Sequence, residues 1–205
     1  MKSITNPVYS IKPIETYYNG IFYRSRLEAR WAFFFDCLEI KHFYEHEGFA
    51  IKVNGKNFNY LPDFYIPKQE YPIPVKQDMY FEIKPSRELS SEEENKLDAF
   101  STAMSATGAK IGVLREVPKD GFSLSDNFVY EKFMVFSEGQ DCYYRICLCP
   151  FCWAFGYEFE GKWDRIICEC GVAKQKVNPS FESFSMTEKM LLSACRSAAG
   201  ARFGR

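Results

Sequence analysis

The sequence predicts a mixed α/β (α+β) fold in which helices pack against a mixed central sheet. Of its 205 residues, 46% are hydrophobic and 18% aromatic, which supplies a packed core and argues against a disordered chain. Segments with a helical spacing of apolar residues alternate with short segments typical of strands. A run of helix formers separates the last two strands of the predicted core, and such a crossover implies that they pair in parallel.

The predicted core follows the order helix, strand, strand, strand, helix, strand. A short hairpin that turns at Asn19 and Gly20 precedes a helix over 25–40, whose apolar residues recur at helical spacing. Two strands then flank Asn54 and Gly55, which is another strong hairpin signal.

The second half of the predicted core also has sequence signals for a loop, two strands and a helix. A proline-rich loop over 67–77 leads to the strand MYFEIKP, and the next segment has serines that can cap a helix and a stop at Gly108. KIGVLREV then returns as a strand. The segment 118–140 is either another strand or an irregular connection, and the chain ends in a helix with a basic tail. The small residues and arginines of this helix fit contact with a phosphate backbone, and equally an ordinary surface helix.

Charge and hydropathy set limits on the class of protein. The formal net charge of −1 gives no global signal for nucleic acid, so a DNA-binding surface must come from local asymmetry. No apolar run approaches the roughly 20 residues of a membrane span, and the N-terminus lacks the apolar region of a signal peptide. We therefore expect a soluble, cytoplasmic protein without membrane contact. Its oligomeric state is open, and a homodimer is one alternative.

Pro62 and Asp63 stand in the middle of FNYLPDFYIP, an aromatic stretch that otherwise reads as one strand. Proline removes a ladder hydrogen bond, and an aspartate among apolar residues risks burying a charge. In MYFEIKP, strand alternation places Glu82 and Lys84 on one face. If the two strands pair, both carboxylates and the ammonium group meet. Mg²⁺ prefers such a sparse oxygen site.

Pro62-Asp63 followed by Glu82-Ile83-Lys84 resembles the motif of the PD-(D/E)xK nuclease superfamily. The predicted order αβββαβ is similar to the restriction-endonuclease-like core of that superfamily. The resemblance implies a Mg²⁺- or Mn²⁺-dependent endonuclease that hydrolyses DNA, similar to virus- and phage-type members, for which the location would be the cytoplasm of the host cell. It also implies that Asp63, Glu82 and the Ile83 carbonyl bind the metal. Lys84 would then orient or deprotonate the attacking water and neutralise developing charge.

The resemblance further implies a metal-site role for Glu28 on the first helix. The alternative is a capping box, in which Glu28 reaches back to the helix start at Ser25. Lys96 on the second helix is either an auxiliary site residue or the i, i+4 partner of Glu92 on a solvated face.

Six of the eight cysteines crowd into one segment: Cys142, Cys147, Cys149, Cys152, Cys168 and Cys170. In a reducing compartment this crowding favours metal over disulfides. The two short knuckles resemble a zinc ribbon, which implies a structural Zn²⁺ on Cys149, Cys152, Cys168 and Cys170. The second knuckle is one residue short, so Cys147 stays an alternative ligand. A redox Cys-x-x-Cys motif is a second interpretation of the segment, and a set of disulfides is a third.

Four basic residues are candidate nucleic-acid contacts: Arg24 and Arg26 near the first helix, and Lys162 and Arg165 between the two knuckles.

The predicted organisation is a nuclease core over 1–120, a connecting segment over 121–141, a zinc-ribbon-like module over 142–177 and a basic helix and tail over 178–205. Two rival functions to the nuclease remain open. One is a catalytically inactive zinc module that binds nucleic acid or a protein partner, and the other is a redox or zinc-handling protein centred on the cysteines.

Overall fold

A computed structural model describes residues 12–53, 55–85, 89–120, 133–137, 140–159, 168, 170 and 180–204. The helices in these ranges are α1 (Arg26–Cys37), α2 (Ser91–Met104) and α3 (Phe181–Gly200). The strands are β1 (Thr16–Tyr18), β2 (Ile21–Tyr23), β3 (Phe43–Tyr44), β4 (Phe49–Val53), β5 (Lys56–Tyr60), β6 (Phe64–Ile66), β7 (Met79–Ile83), β8 (Lys110–Leu114), β9 (Phe133–Ser137), β10 (Gln140–Leu148) and β11 (Phe155–Phe159).

A seven-stranded sheet in the order β11-β10-β9-β8-β7-β6-β3 forms the centre of the fold. Strands β7 and β8 pair in parallel through the α2 crossover, and the other neighbours pair antiparallel. The predicted mixed α+β fold and the helical crossover are therefore confirmed. Strand β9 decides between the two possibilities for 118–140 in favour of a strand, although 121–132 lie outside the described residues.

Hydrophobic cores lie on both faces of the sheet. On one face α1 and α3 contact each other, and the buried side chains there include Trp31, Phe35 and Phe81. On the other face α2 and the β4–β5 hairpin pack against the sheet, and the buried side chains there include Tyr80 of β7 and Phe100 of α2. Alternation along β7 therefore sends successive side chains into different cores, as the sequence predicts for this strand.

Two of the predicted helices have well-defined starts. At α1, the Ser25 hydroxyl accepts from the backbone N–H of Glu28 at 3.1 Å. The helix ends at Cys37 and not at residue 40, because Glu39 has left-handed backbone geometry (φ +53°) and cannot continue it. At α2, Ser90 and Glu93 form a complete capping box.

The stretch FNYLPDFYIP is not one strand. Strand β5 ends at Tyr60 and pairs with β4 in a separate two-stranded sheet, whereas β6 begins at Phe64 in the central sheet. Pro62 has no N–H to donate to a ladder, so the chain changes sheets there. Asp63 consequently lies at the crossing point between two sheets and not in the middle of a strand.

The strands around the first cysteine knuckle are part of the main sheet, since β9, β10 and β11 extend it beyond β8. They do not form an independent β module, and the sheet continues across the domain boundary predicted at residue 142. The other domain boundaries stay a prediction.

The C-terminal helix is integrated into the core. Leu191, Ala194, Cys195 and Ala198 of α3 are buried, and the small size of the two alanines and the cysteine allows close packing next to α1. The small residues of this helix therefore serve packing within the protein. Among the described residues, no helix is both long and apolar enough to span a membrane.

Candidate functional site

Asp63 directly precedes β6 and lies opposite Glu82 of the neighbouring strand β7. The antiparallel register pairs Phe64 with Phe81, and continuing it by one residue places Asp63 against Glu82. Asp63 is only 2% exposed. Its Oδ2 accepts the backbone N–H of Ile83 at 2.6 Å, and its Oδ1 accepts from the Arg24 guanidinium group. The predicted strand pairing is confirmed, and the carboxyl group is buried between two donors.

Opposing effects act on the charge of Asp63. Burial and the nearby Glu82 carboxylate raise its pKa, the Ile83 N–H lowers it, Glu28 raises it and Arg24 lowers it. The net result raises the pKa of Asp63 from 3.8 to about 8. Burial beside Glu82 therefore makes the ionised form of Asp63 unfavourable in this structure, and a cation close to the carboxylate would favour that form.

Glu82 and Lys84 form a close ion pair on the α2 face of β7. The Lys84 ammonium lies 2.8 Å from Glu82 Oε1 and 3.5 Å from Glu93 Oε1 on α2. The second Glu82 oxygen accepts from the Tyr60 hydroxyl at 3.0 Å. Burial lowers the pKa of Lys84, but Glu82, Asp63 and Glu93 together raise it, and the net pKa lies above the ordinary value. Lys84 is therefore protonated, which favours the cationic role over that of a general base.

Of the two roles left open for Glu28, the hydrogen bonds in the structure show the cap of the helix start, and a metal-site role stays a prediction. Its carboxylate accepts from the Ser25 hydroxyl at 2.9 Å, from the Arg24 backbone N–H at 3.0 Å and from the Tyr44 hydroxyl at 2.6 Å. These bonds make it a cap of the α1 start, although the backbone group it reaches is that of Arg24. Its charge also acts on Asp63, so Glu28 belongs to the electrostatic environment of the site.

An open cavity of about 300 Å³ gives access to the Glu82 side of the site. Glu82, Lys84, Glu93 and Lys96 line it together with Tyr60. Lys96 also pairs with Glu92 at 2.6 Å, as its i, i+4 spacing predicts. Asp63 does not line the cavity. The guanidinium group of Arg24, whose side chain is 59% exposed, contacts the Asp63 carboxylate instead.

The four predicted nucleic-acid contacts have different outcomes. The Arg24 Nε lies 3.0 Å from Glu45, so this side chain bridges two acids within the protein. Arg26 is exposed at the start of α1. Lys162 and Arg165 lie outside the described residues.

Three neighbours of the site were not predicted from the sequence: Tyr44, Tyr60 and Glu93. Tyr44 reaches the site from β3, and Tyr60 reaches it from the end of β5. Both strands are distant from β7 along the chain. No local pattern signals such contacts. The position of Glu93 was partly predictable, because the capping-box pattern places it at the start of α2. In the structure this position lies beside Lys84.

The second candidate centre is the cysteine cluster: Cys149, Cys152, Cys168 and Cys170. Their sulfur atoms all lie within 4.8 Å of one another, and Cys149 and Cys168 are buried. The backbone closes the first knuckle with two hydrogen bonds of 2.8 Å, from Cys149 to Ala154 and from Trp153 to Cys149. This cluster could bind a metal ion such as zinc.

The positions of the cysteines bear on the choice between the alternative zinc ligands. Cys168 and Cys170 converge with the first knuckle despite the shortened spacing, and Cys147 does not belong to the group. Hydrogen bonds with Cys149 and Cys168 lower the pKa of Cys152, whereas hydrogen bonds with Cys149 and Cys152 raise the pKa of Cys168, so the close thiols share their protons. The side chain of Cys142 lies outside the described part of the structure.

Within the described part of the chain, the cysteine cluster is the only group of three or more Cys, His, Asp or Glu residues with ligand atoms this close together. The oxygen atoms of Glu28, Asp63 and Glu82 are spread more widely.

Comparison with protein-family models, with curated proteins and with solved structures gives no match for this chain. A function must therefore be inferred from the geometry of the site itself.

Proposed function

We propose that this protein is a divalent-metal-dependent nuclease that hydrolyses phosphodiester bonds in DNA. The observation that carries the proposal is the buried Asp63 carboxylate opposite Glu82, with Lys84 paired to Glu82 directly after the end of β7. A charge is costly to bury at a junction between two sheets, and a role in metal binding gives a reason for its presence. The PD-(D/E)xK resemblance points to the same three residues.

The residues present fit a hard divalent cation. Carboxylate oxygens are the donors that Mg²⁺ and Mn²⁺ prefer, and a few of them leave room for water and a substrate phosphate. Arg24 supplies the positive charge at Asp63 in this structure, and its exposed side chain can withdraw into solvent. Asp63 and Glu82 would hold the ion, with Glu28 contributing negative charge from α1. The Ile83 carbonyl is the further ligand that the resemblance implies.

When bound, such an ion supplies Lewis-acid chemistry, since it acidifies water and neutralises charge on a phosphate. Lys84 then orients the attacking water through its ammonium donors and stabilises the negative charge that develops on the phosphoryl oxygens. Its ion pair with Glu82 and its contact with Glu93 hold the ammonium group in position at the cavity. Tyr60 holds the other Glu82 oxygen, so the carboxylate is oriented from both sides.

Cleavage of supercoiled plasmid, linear duplex and single-stranded DNA, with Mg²⁺ or Mn²⁺ and with a chelator, tests the proposal. We expect metal-dependent cutting by the wild type. Lys84→Ala should lower the rate by about 10²–10³-fold, because it removes a group that stabilises charge in the transition state.

Lys96→Ala is the matched control, because Lys96 lines the same cavity but pairs with Glu92 on the outer face. It should retain most of the activity, and both variants should keep the thermal stability of the wild type within about 1 kcal/mol. A wild type that binds DNA and cuts none of the substrates would contradict the proposal and favour the binding module.

A further inference from the structure

The β1–β2 hairpin, which precedes α1 in the chain, exposes two aromatic rings. Tyr17 and Phe22 are cross-strand partners on the outer face of the hairpin, 50% and 75% exposed. Their ring centroids lie 4.7 Å apart at an interplanar angle of 49°. On the inner face, Tyr23 is buried against Tyr44 and Phe64, which fixes the hairpin to the core. The hairpin therefore presents a supported pair of rings to solvent.

This aromatic pair is continuous with positive charge at the site. Arg24 follows β2 directly, two residues after Phe22 in the chain. Arg24 in turn contacts Asp63. Arg26 follows at the start of α1, where it is exposed and has no ion pair with any described residue. A ligand on Phe22 would thus extend past two guanidinium groups toward the buried carboxylate.

The size of the surface argues against a stable protein interface. Two aromatic side chains bury about 150–250 Å² each at most, well below the roughly 1,000 Å² that a biological protein interface needs. A flat ring, in contrast, is matched in size by one nucleobase, and base stacking on protein rings beside cationic groups is a general mode of single-strand binding.

We infer that Tyr17 and Phe22 form a stacking platform for an unpaired nucleobase of the substrate, next to the phosphate that reaches the site. The inference rests on the proposed nuclease function and narrows its substrate class to nucleic acid with unpaired bases, such as single strands, flaps or branches. Bases within a duplex are already stacked on one another and are not open to a ring on a protruding hairpin.

Equilibrium binding by fluorescence anisotropy, in a chelator so that no cleavage occurs, tests the inference. The probes are oligothymidylate and an abasic oligonucleotide of the same length, which keeps the phosphates and lacks the bases. The wild type should prefer oligothymidylate. Phe22→Ala should weaken its binding by about 5- to 100-fold and leave binding of the abasic strand unchanged.

Two further variants separate stacking from simple apolar contact. Phe22→Trp should bind oligothymidylate at least as tightly as the wild type, whereas Phe22→Leu should bind as weakly as Phe22→Ala. Tyr71→Ala, which removes an 85% exposed ring from the loop over 67–77, is the control and should have no effect.

Equal affinity of the wild type for both probes, or wild-type affinity in Phe22→Leu, would overturn the inference. Concentration-dependent self-association that Phe22→Ala abolishes, without oligonucleotide binding, would overturn it in favour of a protein contact. Failure of the nuclease proposal has a different signature: base-dependent binding would persist while no DNA is cut in Mg²⁺.

Discussion

At the cysteine cluster, four sulfur atoms lie within 4.8 Å of one another, whereas at the carboxylate site the acids are separated and each contacts a cationic or hydroxyl group of the protein. Lys76 interacts with Cys152 and Cys168 through space, but its ammonium group is paired with Glu70 at 3.0 Å. Arg24 and Lys84, in contrast, contact Asp63 and Glu82 directly.

We infer from this difference that the cysteine cluster is suited to a structural metal ion and the carboxylate site to an exchangeable one. Four clustered thiolates repel one another, so a metal ion between them would stabilise the local fold directly. The carboxylate site already has side chains that balance its charges, so the fold does not depend on an added ion. An ion that can exchange with Arg24 is suited to binding together with a substrate.

The largest expected effect is the loss of a cysteine ligand. Cys149 is fully buried, and Cys149→Ser should remove the bound metal and lower the free energy of unfolding by about 5 kcal/mol or more. Metal content by elemental analysis and thermal unfolding provide the two readouts. Cys37→Ser, at an exposed cysteine outside the cluster, should change neither. If the purified wild type contained no zinc, the cysteine cluster would not be a structural metal site, and the contrast with the carboxylate site would be wrong.

A smaller effect of opposite sign is expected at Asp63. Because the folded pKa of about 8 lies above the ordinary 3.8, the folded protein binds this proton more tightly than the unfolded chain does. That stabilisation is fully present below pH 3.8 and is lost as the pH rises toward 8. Asp63→Asn keeps an acceptor for the Ile83 N–H and removes the charge. In a chelator at about pH 8 it should raise the free energy of unfolding by about 1–3 kcal/mol.

Denaturant unfolding at several pH values measures this effect. The advantage of Asp63→Asn over the wild type should grow between about pH 4 and about pH 8 and then level off. A variant that is less stable than the wild type across this range would show that the ionised carboxylate stabilises the fold, and the site would resemble an ordinary buried ion pair.

The smallest effect concerns the first cysteine knuckle. Trp153 has left-handed backbone geometry (φ +61°), which is unfavourable for a bulky residue. Trp153→Gly should relieve this strain and stabilise the protein by about 0.5–1 kcal/mol. Phe151 lies in the same knuckle but does not have a positive φ, so Phe151→Gly should destabilise the protein. Thermal unfolding of the metal-loaded protein measures both effects. Destabilisation by Trp153→Gly would mean that packing of the indole ring outweighs the strain.

The sequence predicted the parts of the molecule that depend on local chemistry. The Asn19-Gly20 turn, the Ser90 cap of α2 and the alternation along β7 were all readable from neighbouring residues. The convergence of the four cysteines was also predictable, because metal ligands at short spacing restrict the chain strongly.

Long-range arrangements were not predictable in the same way. Nothing near Pro62 indicates that the chain leaves one sheet and enters another, since a bulged edge strand has the same local pattern. The pairing of Arg24 with Asp63 and the approach of Tyr44 to Glu28 join residues that are far apart in the sequence. The β9–β11 strands gave too weak a pattern to place them in the central sheet.

We infer that Asp63 occupies a buried position because it binds a divalent cation. Calorimetric titration of Mn²⁺ into the zinc-loaded wild type and into Asp63→Asn measures this binding. We expect a binding event in the wild type that is absent from Asp63→Asn, while the variant keeps its fold and its zinc. Equal Mn²⁺ affinity in the two proteins would contradict it.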